Sequence, residues 1–212
     1  GAEAQRTTMK ILVGWLAAAV ALAAQTAQWG VWEKRFAGAG AELTAAARLR
    51  GPDGAVHQVD AFWDGPGRWV LRFSPDKPGR WRYEFRGQRG SFTVTPSGAP
   101  GALRLSANRR YIEYANGAPF FWLADTAWNG AIKSTDEEWA RYVADRKAKG
   151  FTGVKFVMTQ WRAAPDANAF TAGPRLRVTA EFFQRLDRRF AALNEAGLVA
   201  MPVLLWAIAS KQ

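Results

Sequence analysis

Directly behind the apolar run FFWLA (120–124) stand Asp125, Thr126 and, two residues further on, Trp128. A strand buried on both faces over that run ends by presenting a carboxylate, a hydroxyl and an indole together. Two later apolar runs end in a comparable way. GVKFVMT (153–159) leads into Gln160, Trp161 and Arg162, and LVAMPVLLW (198–206) closes on Trp206. In parallel α/β sheets chemistry gathers at the carboxyl ends of the strands. An acid, an amide, an arginine and indoles suit a polyhydroxylated ligand, whose ring faces stack on aromatic side chains while its hydroxyls bond the polar groups. Plainer roles stand beside these: a helix cap or loop anchor for Asp125, and packing between strands for Trp206. Trp161, beside Arg162 in a loop, has the least claim to a purely packing role.

What such a site lacks is equally informative. Cleavage of a glycosidic bond needs two carboxyl groups about 5–5.5 Å or about 6.5–9.5 Å apart. Asp136, Glu137, Glu138 and Asp145 fall on one predicted helix, and Glu181, Asp187 and Glu195 on another. Only Asp125 and Asp166, the latter in the loop APDANAFTAG (164–173), remain near the proposed mouth. No catalytic pair is visible, and no catalytic residue is assigned. There is no cysteine and a single histidine, which excludes disulfides, cysteine nucleophiles and Cys/His zinc sites. No GxSxG or GxxxxGK motif occurs, and no metal or cofactor site is expected. His57, between Val56 and Gln58, reads as a strand surface residue.

The elements that must position these residues have two different periods. From Trp29 to about Ser106 the chain alternates with period 2, as in RWVLRF (68–73), RWRYEF (80–85) and SFTVT (91–95). Turn signals divide these runs: GPDG (51–54), DGPG (64–67), SPDKPG (74–79) and GQRG (87–90). The pattern predicts an antiparallel, Ig-like β-sandwich over 28–100, with TPSGAPG (95–101) as its linker. LRLS and YIEY still read as strands, and Asn116-Gly117 signals a type I′ hairpin. Over 101–212 the order becomes β-α-β-α-β, which demands parallel crossovers. Ser134-Thr135 before Asp136, Glu137 and Glu138 is a capping-box start, and Gly150 ends that helix. Thr179 caps a second helix carrying Phe182, Phe183, Leu186, Phe190 and Leu193, closed by Gly197. Three strand units are fewer than a (β/α)8 barrel of about 250 residues requires. The expectation is therefore a truncated barrel, comprising the first three β-strands.

Composition narrows the partners. The net charge of +11 and a pI near 10.5 raise nucleic acid as a partner. The basic residues are interleaved with acids, however, as in EEWARYVADRKAK (137–149), and no nucleic-acid partner is expected. Most of the eleven tryptophans are explained by core packing. Trp63, Trp69 and Trp81 could instead form a binding platform on the sandwich, which would make the chain a non-catalytic carbohydrate-binding or cell-surface protein. MKILVGWLAAAVALA (9–23) has one charge, an apolar run and small residues before Ala24, the pattern of a secretory signal peptide. A retained anchor is the alternative; at about 14 residues the run is short for a membrane span, and no stable span is expected.

RRYIEYANGAPFFWLADTAWNG (109–130) resembles the opening of the apiosidase-like glycoside hydrolase catalytic domain, with its Gly-x-Pro turn and Asp-Thr-x-Trp motif. KGFTGVKFVMTQ and EAGLVAMPVLLW look like that domain's second and third strands. AFWDGPGRWVLRFSPDKPGRWRYEF (61–85) is similar to the β-sandwich domain of unknown function that often precedes it. The resemblance implies a secreted bacterial enzyme of polysaccharide breakdown with a carbohydrate substrate, a (β/α)8 barrel and no cofactor. It places Asp125, Thr126 and Trp128 in the lining of the substrate pocket, and the catalytic acids on later strands, beyond Gln212. Ala124 stands where that family commonly has glycine.

Overall fold

A computed structural model describes residues 25–38, 44–159, 169–171 and 177–204. The predicted signal segment 9–23, together with Gln160, Trp161, Arg162, Asp166 and Trp206, lies outside the described residues.

The first part of the chain forms seven strands: β1 (Gln25–Ala27), β2 (Trp32–Ala37), β3 (Thr44–Arg50), β4 (Val56–Trp63), β5 (Arg68–Phe73), β6 (Gly79–Phe85) and β7 (Gln88–Thr95). They hydrogen-bond as one sheet in the order β1-β7-β6-β3-β4-β5-β2. The alternating pattern thus builds a continuous sheet that turns back on itself. Trp32 of β2, at one edge, stacks on Phe92 of β7 near the other, with ring centroids 4.0 Å apart. All the pairings are antiparallel except β1 with β7, which is parallel. Gln25–Ala27, placed before the sandwich by the sequence reading, therefore belongs to it. The core between the curled faces is largely aromatic: Trp32, Phe36, Trp69, Trp81, Phe85 and Phe92 are all buried. Trp69 and Trp81 have 0% exposure, so neither offers a face to a ligand, and the tryptophan platform is withdrawn. His57 is half-buried, its ring 5.6 Å from Phe73 and 5.4 Å from Trp81, and is not the plain surface residue expected.

Two turns differ in detail from their sequence signals. The hairpin joining β6 and β7 turns at Arg86 and Gly87, both with positive φ (47° and 76°), and pairs Phe85 with Gln88. That is the backbone a type I′ turn requires, one residue ahead of the expected GQRG and sharing its Gly87. At Asn116-Gly117 only the glycine takes positive φ (88°). The amide of Gly117 donates to the carbonyl of Tyr114, and that of Tyr114 to the carbonyl of Ala118. This is a type I turn closed by a left-handed glycine, in place of the type I′ turn expected. β8 (Leu103–Leu105) and β9 (Ile112–Tyr114) form a short antiparallel pair leading into it.

The second part follows the β-α-β-α-β order with shifted boundaries. β10 is Ala124–Trp128, followed by the single turn α1 (Gly130–Lys133) and by α2 (Asp136–Ala148). β11 (Gly153–Val157), the small pair β12 (Phe170–Thr171) and β13 (Arg177–Val178), α3 (Ala180–Glu195) and β14 (Val199–Val203) complete it. β10, β11 and β14 lie side by side as a parallel sheet. The strand expected over 120–124 is corrected: Phe120 is buried, but Phe121 and Trp122 are 74% and 55% exposed, and the strand starts where it was expected to end.

Helix ends follow the local code at α2. The Thr135 side chain accepts from the Glu138 amide while the Glu138 carboxylate accepts from the Thr135 amide, so two otherwise orphaned donors are satisfied reciprocally. Gly150 (φ 78°) and Gly197 (φ 72°) follow the two longer helices in the left-handed conformation that stops them. Thr179 is the N-cap residue of α3 as expected, but its side chain makes no capping bond. Trp139 and Val143 of α2 and Phe182, Leu186 and Leu193 of α3 pack with Val154 and Phe156 of β11 into a second core. Arg189 of α3 is buried there. Its loss of hydration is offset by donating to the carbonyl of Ser134 (2.7 Å) and pairing with Asp136 (2.7 Å), which ties α3 to the start of α2.

The two parts also meet. Arg72 of β5 donates both terminal nitrogens to Asp187 of α3 (2.9 and 2.7 Å) and its Nε to Glu33 of β2. The Gln184 side chain of α3 donates to Asp64. Val70, on the outer face of β5, is buried in this seam.

Candidate functional site

β10 divides its residues between two faces. Asp125 turns toward α2: its carboxylate accepts from the Tyr142 hydroxyl (3.0 Å) and from Arg146 (3.0 Å), and also from the Thr126 amide (2.7 Å). Its register partner Val154 lies in the core that the helices cover. Burial alone would raise the Asp125 pKa. The bonds from Tyr142 and Thr126 and the charge of Arg146 outweigh it and hold this carboxyl below its ordinary value. The Tyr142 hydroxyl is pushed the other way, first by burial and then by the carboxylate it serves. Arg146 in turn also pairs with Asp145 and lies over the Phe151 ring, 5.1 Å from its centroid.

Thr126 is exposed and in register with Lys155, also exposed, which is in register with Met201. These three form a row across the parallel sheet at the level between the core residues Val154 and Phe156. Beyond them the ladder slips. Thr126 pairs with Lys155, but Trp128 and not Ala127 pairs with Phe156. This bulge ends in Trp128 at φ 27°, a backbone conformation that costs a tryptophan energy and that is held by the packing around it. Bulges of this kind re-aim a side chain at a strand end and recur beside functional sites.

The described carboxyl ends of the sheet thus carry Trp128, then Thr159, then Leu204. Thr159 is buried and its hydroxyl donates to the Leu204 carbonyl, linking the segments that follow β11 and β14. Of the residues proposed from sequence, the structure exposes Thr126 on the face away from the helices, turns Asp125 to the helices, and leaves Trp128 half-buried at the strand end, in register with Phe156 and packed against the helix-side core. Gln160, Trp161, Arg162 and Trp206 lie outside the described residues. The pairing that sequence reasoning missed is Tyr142 and Arg146. Their spacing of four places both on one face of α2, and that spacing was the available signal. Among the described residues no cluster of three or more His, Cys, Asp or Glu gathers in a metal-binding arrangement, and no helix is long and apolar enough to cross a membrane.

Residues 25–87 match a domain family of unknown function, DUF5060, and residues 106–212 match the family described as apiosidase-like, catalytic domain. No curated protein matches the chain. A solved structure from Bacteroides vulgatus ATCC 8482, provisionally described as a glycoside hydrolase, superimposes with a TM-score of 0.71 at 22% identity. The superposition covers 85% of this chain and 41% of that one, so the chain spans less than half of that relative's length; at this identity the likeness is one of fold. Two weaker superpositions reach a protein described as a glycoside hydrolase (TM-score 0.40, 21% identity, 50% of this chain and 26% of that one) and a family 5 glycoside hydrolase from the same Bacteroides strain (0.42, 20%, 50% and 25%). With the second match taking in half of its length, the chain belongs to the apiosidase-like catalytic domain family.

Proposed function

We propose that this chain is the opening portion of an exported bacterial glycoside hydrolase. In this reading β10, β11 and β14 are the first three strands of a (β/α)8 barrel whose mouth receives a glycan. The observation that carries it is the bulge ending in Trp128, a half-buried tryptophan with a strained backbone at the carboxyl end of a parallel strand in an apiosidase-like chain. Trp128 supplies a stacking face and Thr126 a hydroxyl, with Gln160, Trp161, Arg162 and Trp206 contributing from the neighbouring strand ends. Asp125 serves the site from behind, by holding β10 to α2 through Tyr142 and Arg146.

The paired carboxylates of glycoside hydrolysis are proposed to lie on barrel strands outside these 212 residues. The chain alone is then expected to turn over no glycan, while binding oligosaccharides at the mouth in a way that Trp128→Ala weakens. The test is incubation of the chain with a panel of plant and microbial glycans, followed by product analysis, alongside binding measurements on the wild type and Trp128→Ala. Turnover by the chain would refute the missing-acid argument, and unaltered binding by Trp128→Ala would remove the mouth. Export is tested separately by sequencing the amino terminus of protein from a secreting host, which is expected to begin near Ala24.

A further inference from the structure

The seam between the β-sheet and α3 encloses a cleft of about 470 Å³. It is lined on the sheet side by Arg35, Arg68 and Arg72 and on the helix side by Gln184, Asp187 and Arg188. On the far side of the Arg72–Asp187 bridge a second recess of about 280 Å³ is walled by Phe62, Trp63 and Phe183. Planar polar groups thus stand next to aromatic surface, with the bridge shared between them.

Not all of these groups are spoken for. Arg68 is paired with Asp64, and Arg72 with Glu33 and Asp187. Arg35 makes no ion pair or side-chain hydrogen bond with the described residues. Arg188 is 61% exposed and held only by long contacts, a bond to the Gln184 carbonyl at 3.4 Å and an ion pair with Asp136 at 3.9 Å. Four arginines line the cleft against Glu33, Asp64 and Asp187, leaving positive charge to be neutralised. The Arg35 guanidinium, and that of Arg188 beyond its two long contacts, present forks that fit a carboxylate in a bidentate manner. Asp64, Asp187 and Gln184 offer partners for hydroxyls, and the aromatic recess offers a face for a ring.

We propose that this seam is a second glycan-binding cleft, separate from the strand-end mouth, which takes an oligosaccharide carrying carboxylates. The choice of a sugar over another polyanion rests on the carbohydrate reading above. The choice of an acidic one rests on Arg35 and Arg188 alone. The cleft joins the two parts of the chain, so a bound glycan would touch both and be held along the outside of the parallel sheet's helix layer.

The experiment is calorimetric titration of the whole chain with an oligouronate hexamer, with cellohexaose as the neutral probe and tripolyphosphate as the plain polyanion. The proteins are the wild type, the Arg35→Gln/Arg188→Gln double variant and Trp128→Ala. Both arginines are largely solvent-facing, and unchanged melting of the double variant confirms that it folds. The expected result is oligouronate binding that falls about ten- to hundredfold in the double variant, the loss of one or two charged hydrogen bonds, and that is untouched by Trp128→Ala. Absence of oligouronate binding, equal binding by the double variant, or tripolyphosphate binding as tight as oligouronate would each overturn the proposal. Cellohexaose binding as tight, and indifferent to the arginines, would overturn the acidic specificity. Oligouronate binding lost in Trp128→Ala but kept in the double variant would leave the mouth standing and remove the cleft.

Discussion

Replacing Asp125 with asparagine separates a residue that braces the fold from one that touches a ligand. The carboxylate accepts three bonds, from Thr126, Tyr142 and Arg146, at 2.7, 3.0 and 3.0 Å. Asparagine keeps one acceptor oxygen but loses the charge opposite Arg146 and turns an amide toward a donor. A hydrogen bond to a charged group contributes about 1.5–3 kcal/mol net. The side chain is 30% exposed and Arg146 retains Asp145, which brings the expected loss to about 1–2 kcal/mol. With a urea dependence of about 1–3 kcal/mol per molar, the midpoint should fall by about 0.3–2 M. The pH dependence supplies a second reading. Because the folded state lowers the pKa of Asp125, its stabilisation is complete above the unfolded value of about 3.9 and is lost as the pH falls through the folded value. The gap between wild type and Asp125→Asn should therefore narrow progressively as the pH falls below the unfolded value and close once Asp125 is protonated in the folded state as well. A double-mutant cycle with Arg146→Met should show coupling between the two positions. An unchanged midpoint at neutral pH, or a deficit that persists at low pH, would refute the bracing role and return Asp125 to the ligand.

Two further expectations concern the sheet and its helix layer. A Cβ on Gly153 would run into the Met201 side chain and come within 3.0 Å of the Val199 carbonyl, so Gly153→Ala should cost about 1–3 kcal/mol by overpacking, measured by chemical denaturation; a neutral result would mean that β11 and β14 are not so closely apposed. Leu186 is almost fully buried between α3 and β11, and Leu186→Ala should cost about 2–5 kcal/mol, whereas a loss below about 1 kcal/mol would place α3 off that core.

Much of the local architecture was legible because it is written in short-range chemistry. Period-2 alternation marked β5, β6 and β7, since a strand has to send successive residues to opposite faces. Thr135 and Glu138 announced the start of α2, since a helix leaves its first amides unpaired unless nearby side chains accept from them. The motif at 125–128, with the sequence around it, was enough to indicate the family. Where the chain relies on contacts distant in sequence, the reading failed. FFWLA looked like a buried strand because apolar runs usually are, yet Thr152, whose amide donates to the Leu123 carbonyl, and the start of β11 set the ladder so that pairing begins at Ala124. Only that register determined that Asp125 faces Tyr142 and Arg146 while Thr126 faces away. A slip of one residue in a strand exchanges its two faces, and nothing within 120–128 specifies the register of a partner strand some thirty residues on. Likewise nothing in the sequence near Arg72, in an alternating strand, or Asp187, on a helix, points to the other. Their meeting across 115 residues of chain depends on how α3 comes to rest on the β-sheet, a choice made by the packing of whole elements and by no local pattern.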